Sequence, residues 1–77
     1  MPNKLIYHYK LTDLEKVDDQ TYRYKGHTIK GPTKIENGPL PYYMCIIYDP
    51  KNKRIGQEQD TIWEDSLKFS MRHIDHK

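Results

Sequence analysis

Between Lys4 and Leu11 the chain alternates: Leu5, Tyr7, Tyr9 and Leu11 share one side, and Lys4, His8 and Lys10 the other. That period of two predicts a half-buried strand. Thr12-Asp13-Leu14-Glu15 fits either a capping box opening a short helical turn or a turn leading into a short strand. Over Thr21–Lys25, Tyr22 and Tyr24 alternate with Arg23 and Lys25. Gly26 then marks a bulge or a tight turn, and strand character resumes at His27-Thr28-Ile29. Gly31-Pro32 and Asn37-Gly38-Pro39-Leu40-Pro41 bracket a long loop, and their prolines argue against central sheet positions there. Tyr42–Tyr48 is apolar on both faces and reads as the central strand. After the turn Asp49-Pro50-Lys51-Asn52, a more polar strand over Lys53–Glu58 suits a sheet edge, where Lys53 and Arg54 oppose aggregation.

The last segment has helical spacing. Trp63, Leu67, Met71 and Ile74 recur on one side, flanked by Ile62 and Phe69, and would pack on the sheet. Thr61 followed by Glu64 predicts a capping box. Glu64 and Asp65 favour the start of a helix dipole, and Arg72, His73, His76 and Lys77 its end. The whole pattern predicts an α+β fold in one domain over residues 1–77. Its core would be a three- to four-stranded antiparallel sheet packed against one C-terminal helix.

Composition narrows the function. In 77 residues, 35% are hydrophobic and 31% charged, with seven Tyr, one Trp and one Phe. A chain of this size buries roughly 60% of its surface, so its core is small and Tyr serves at the core boundary. An enclosed substrate pocket of about 300 Å³ has little room, which argues against an enzyme. One cysteine, Cys45, permits no intramolecular disulfide and points to a reducing cytoplasm. No apolar run approaches the ~18 residues of a membrane span, and the N-terminal residues lack the apolar stretch of a signal peptide. Net charge is only +2. The acids Asp13, Glu15, Asp18 and Asp19 are followed by Arg23, Lys25, Lys30 and Lys34. A second basic cluster, Lys51, Lys53 and Arg54, precedes Glu58, Asp60, Glu64 and Asp65. The middle of the chain is therefore basic between acidic flanks.

Catalytic and metal chemistry have thin support. His73 and His76 stand at i, i+3 with Asp75 between them, but such histidines more often serve the helix dipole than a metal. Cys45 sits in Tyr-Met-Cys-Ile-Ile, the setting of a buried, inert thiol. Pro2 resembles the proline base of small tautomerases, yet the chain order lacks their early long helix. No cofactor or metal is expected. The sheet face opposite the helix is expected to display Tyr, Arg and Lys together, from Tyr22, Arg23, Tyr24, Lys25, Lys30, Lys34, Lys51, Lys53 and Arg54. Cations neutralise phosphates and rings stack on bases. The same mixture suits a protein interface. A plainer alternative is that the tyrosines complete the core and the lysines keep it soluble.

The order Tyr24-Lys25-Gly26, Ile46-Ile47-Tyr48-Asp49-Pro50-Lys51, Ile55-Gly56, then Asp60-Thr61 opening a helix that ends near Asp75 resembles AP2-type and phage-integrase arm-type domains. In these a three-stranded sheet precedes a helix and enters the DNA major groove. The resemblance covers about residues 22–76 and implies backbone contacts from Arg23, Lys25, Lys30, Lys34, Lys51, Lys53 and Arg54. The layout is also similar to that of many short phage and mobile-element proteins, which often occlude a surface on a host protein. The expectation is a non-enzymatic, cytoplasmic, phage-type binding protein, monomeric or homodimeric, that engages or inhibits a host protein. A DNA-binding accessory domain is the alternative, and a homodimer pairing through an edge strand the third.

Overall fold

The computed structural model describes residues 5–77. Five strands follow one another: β1 (Glu15–Asp18), β2 (Thr21–Tyr24), β3 (His27–Ile35), β4 (Tyr42–Tyr48) and β5 (Arg54–Asp60). The helix α1 (Trp63–Asp75) comes after them. In the sheet the strands keep the order of the sequence, each antiparallel to the next. The fold is thus α+β with a C-terminal helix, and the sheet has five strands rather than three or four. No helix among the described residues is long and apolar enough to cross a membrane.

Local chemistry sets the hairpins. Lys25 and Gly26 both have positive φ, 49° and 79°. Two such residues make the tight turn whose twist matches its flanking strands, with Tyr24 opposite His27. At the β4–β5 turn, Asp49 accepts hydrogen bonds from the Lys51 and Lys53 backbone N–H groups at 2.9 and 2.8 Å. Asn52 there takes the left-handed conformation that Asn tolerates, φ 66°.

Three sequence expectations are corrected. The described part of the Lys4–Leu11 segment is not a strand. It turns, with the Tyr9 N–H donating to the Ile6 carbonyl, and ends in a 3-10 turn at Leu11–Asp13. Ile6 and Tyr9 are buried, while Leu5 and Tyr7 are exposed. A three-residue spacing on the inner side of a turn therefore replaces the period of two. Residues 12–19 combine both readings, since the helical turn leads directly into β1.

The second correction concerns Gly31-Pro32, which lies inside β3 rather than in a loop. Pro32 sits at a bulge, one of the few places where a strand tolerates proline. The β3–β4 register shifts between Lys30 and Thr33. A Cβ on Gly31 would lie 2.5 Å from the Met44 carbonyl oxygen, at a φ of 124°.

The third is the helix start. Ile62 is the N-cap and no side chain caps it. Thr61 and Glu64 form no capping box, because Asp60 accepts the Ile62 N–H at 2.9 Å and Glu64 pairs with Lys68 at 2.8 Å instead. Trp63 is consequently the first helical residue, 39% exposed, with its ring edge-on to Tyr22 at 6.4 Å. The buried stripe is Ser66, Leu67, Ser70, Met71 and Ile74. The serines turn their hydroxyls back to the helix, to the Trp63 and Ser66 carbonyls. Being small, they admit the sheet closely: Ser66 Oγ is 3.6 Å from Cys45 Sγ.

Leu67 and Ile74 close over Ile29, Cys45 and Ile47. Met71 meets Ile6 and Tyr9 in an adjoining cluster. Leu67→Ala is expected to lower stability by about 2–5 kcal/mol in chemical denaturation. Trp63→Ala should cost only about 1 kcal/mol, the scale of one aromatic pair. Gly31→Ala is expected to lower the melting midpoint as well, since the added methyl meets backbone in a left-handed conformation at a stability cost of about 1–3 kcal/mol.

Candidate functional site

Pairing registers show which residues share a face, because opposed residues in a ladder point the same way. On the helix side, Tyr22, Ile29, Ile47 and Gly56 form one row. On the other side lie three rows. Arg23, Thr28, Tyr48 and Arg54 make the first; Thr21, Lys30, Ile46 and Gln57 the second; Thr33, Met44 and Gln59 the third. Tyr42, Met44, Ile46 and Tyr48 therefore run along β4 as an apolar ridge, each half-buried and uncovered by the helix. At the strand repeat of about 3.3 Å the ridge is roughly 20 Å long. Arg23 and Lys30 flank it on one side and Arg54 on the other. Glu15, opposite Arg23, adds an acid at the β1 edge.

The nine sequence candidates scatter. Arg23, Lys30 and Arg54 share the open face. Tyr22 and Tyr24 point to the helix side and pack against the core. Lys25, in the hairpin turn, donates to Asp75 at 2.7 Å. Lys34 shares the helix side with Tyr43 and pairs with Glu36 at 3.4 Å. Lys51 and Lys53 are exposed in the β4–β5 turn. Pro2 and Lys4 lie outside the described residues.

Beside the ridge, where β2 ends and β3 bulges, lies an open depression of about 500 Å³, lined by Asp18, Thr21, Lys30, Thr33, Met44 and Ile46 among others. Composition alone did not reveal it, because it depends on the register shift at Gly31-Pro32. The ridge did have a signal: β4 alternates Tyr42, Met44, Ile46, Tyr48 with Tyr43, Cys45, Ile47.

Several titratable side chains on the helix side are engaged by their neighbours. Asp75 accepts hydrogen bonds from Tyr9 Oη at 2.9 Å and Tyr24 Oη at 3.1 Å, in addition to Lys25. Burial alone would push its carboxyl up, but the hydrogen bonds from Lys25, Tyr9 and Tyr24 outweigh it and hold the group below the usual range. Desolvation and the bond to Asp75 push the Tyr9 hydroxyl up to about 12. His73 Nδ1 lies 2.6 Å from Glu58, with its ring against the bare Gly56. Burial pushes the Cys45 thiol up, which keeps it protonated. Among the described residues no three His, Cys, Asp or Glu side chains gather to hold a metal ion. No known protein family, curated protein or solved structure matches the chain.

Asp75→Asn is expected to lower stability by about 2 kcal/mol at neutral pH, the scale of hydrogen bonds to a charged group. Because the folded carboxyl titrates below its unfolded value, its contribution is full above about pH 4 and is lost as pH falls further. Tyr9 has the opposite sign. Its contribution is full below its ordinary value near 10 and is lost as pH rises through about 12. Melting curves across pH should show both flanks, and Asp75→Asn should flatten the acid one.

Proposed function

We propose that the protein is a non-enzymatic binding module that engages another protein through the uncovered face of its sheet. The observation that carries this reading is the β4 ridge, four aromatic or aliphatic side chains left uncovered between cations. Tyr, Met and Arg are the residue types that interfaces concentrate, with the apolar part central and charge at the rim. In the phage-type setting that the sequence layout resembles, the partner is a host protein.

The basic residues favour a protein over duplex DNA. Duplex binding draws its affinity from many cations tracking phosphates. Here Lys25 and Lys34 are paired with acids, and Lys51 and Lys53 stand at a turn. Three cations remain on the open face, with Glu15 and Asp18 at its β1 edge.

The proposal is tested by capture from a bacterial lysate with face variants. Tyr48→Ala and Arg54→Ala are expected to weaken retention of the protein captured by the wild type, each by about 2 kcal/mol or roughly 30-fold. Lys51→Ala with Lys53→Ala should leave it unchanged. Labelled duplex DNA at about 50 mM salt should bind no tighter than about 100 μM. Tight duplex binding that collapses by about 200 mM salt would replace this reading with the DNA-binding one.

A further inference from the structure

β3 outruns its neighbour. β2 ends with Thr21 opposite Lys30, yet β3 continues to Ile35 with β4 alone beside it. The Gly31 N–H donates to the Gln20 carbonyl at 2.8 Å and closes the β2 side. Pro32 has no N–H. From Thr33 to Ile35 no strand among the described residues pairs the outer edge of β3. An unpaired edge of this kind is a template for an added strand.

The depression beside the ridge opens into the same corner. Its two charged groups differ in what they already bind. Asp18 Oδ1 accepts the Gln20 N–H at 2.8 Å, and this bond and one from the Thr21 hydroxyl hold its carboxyl below the usual range. Lys30 is exposed and makes no ion pair among the described residues. Lys30 adds to that lowering without closing an ion pair, so Asp18 keeps its charge but has acceptors already engaged, while the three N–H donors of Lys30 remain open to a ligand. Lys30 and Thr33 point to the same face, because the bulge between them takes up the odd residue. Gly31 contributes no side chain, so Met44 and Ile46 form an apolar floor between them. A strand added beside Thr33 would present the residue opposite Thr33 to this face, and Lys30 lies on its diagonal, about 7–8 Å away between backbones and within reach of long side chains. One ammonium over an apolar floor fits a carboxylate on a methylene stem. A phosphate recruits several donors at once.

We propose that this corner docks an extended acidic segment of the partner protein. The segment's main chain pairs with Thr33–Ile35, and a glutamate carboxylate reaches Lys30 with its stem on Met44 and Ile46. The inference rests on the open-face reading and names the chemistry of the partner at one end of that face.

The test is a 15N–1H NMR titration of the protein with the blocked peptide acetyl-Thr-Val-Glu-Val-Thr-amide, to about 5 mM, in the affinity range of a short strand. Saturable shifts are expected at the amides of Thr21, Lys30, Gly31, Thr33, Lys34 and Ile35. Replacing Glu by Gln in the peptide, or Lys30→Ala in the protein, should weaken binding at least about tenfold. Lys30 is exposed, so an unchanged melting midpoint should accompany that variant. N-methylation of alternate peptide amides, in both phases, should abolish binding in one phase. Shifts confined to Tyr48, Arg54 and their neighbours, equal for the Glu and Gln peptides, would overturn the corner site and leave docking on the open face standing. The absence of any shift would overturn it too. So would a concentration-dependent mass in ultracentrifugation that Lys34→Pro abolishes, because the occupant of the edge would then be a second copy of this chain.

Discussion

A helix is about 10 Å across, and five strands spaced about 4.8 Å apart span roughly 20 Å. One helix cannot cover such a sheet, and the rest of the structure follows from that mismatch. α1 packs over β3, β4 and β5. The remaining width on that side falls to the chain before β1, which brings Ile6 and Tyr9 against Met71 and adds Leu11 and Leu14 to the core boundary. α1 leaves the opposite face uncovered. The ridge there, along β4, is half-buried.

Two separate covers on one sheet face have to be held together, and Asp75 does so. It gathers a hydroxyl from the first cover, a hydroxyl from β2 and an ammonium from the β2–β3 turn, at the last turn of the second cover. Its side chain is 20% exposed, and the three donors fix its carboxylate where the two covers meet. The left-handed turn at Lys25-Gly26 belongs to the same device, since Lys25 departs from the strand there and reaches Asp75. The Glu58–His73 contact holds the helix to the edge strand β5 in a similar way. A small core is thus supplemented by polar clamps between elements distant in sequence.

Much of this was readable from the pattern of residues. The period of two in β2, the continuous apolar run of β4, the more polar stretch of β5 and the helical spacing of Leu67, Met71 and Ile74 name their elements directly. The failures have physical causes. Alternation in Leu5–Leu11 was mimicked by a turn, because two residues three apart can be buried as readily as two residues two apart. Pro32 looked foreign to a sheet, and the bulge in which it sits makes it tolerable. Trp63 belongs to the helical spacing, but with Ile62 as N-cap it stands at the helix end, beyond the core. The candidate surface was half visible. Arg23 and Arg54 follow from strand parity, whereas placing Tyr22 and Tyr24 on the helix side requires knowing that Ile29 faces the helix. The depression at Lys30 was invisible, since it arises from a bulge and from the shortness of a neighbouring strand.

The strand order also bears on how the chain is made. In a meander every strand pairs with its predecessor, so each hairpin can close over a short loop soon after its residues leave the ribosome. The side chains that must be covered, Ile29, Cys45 and Ile47, belong to strands synthesised well before Leu67, Met71 and Ile74. Until α1 is made, the part of the sheet face that it covers has no partner, and exposed apolar surface of this kind is what aggregation competes for. Lys53 and Arg54 stand at the start of β5, the edge exposed throughout that wait, and like charges there keep neighbouring nascent chains from pairing.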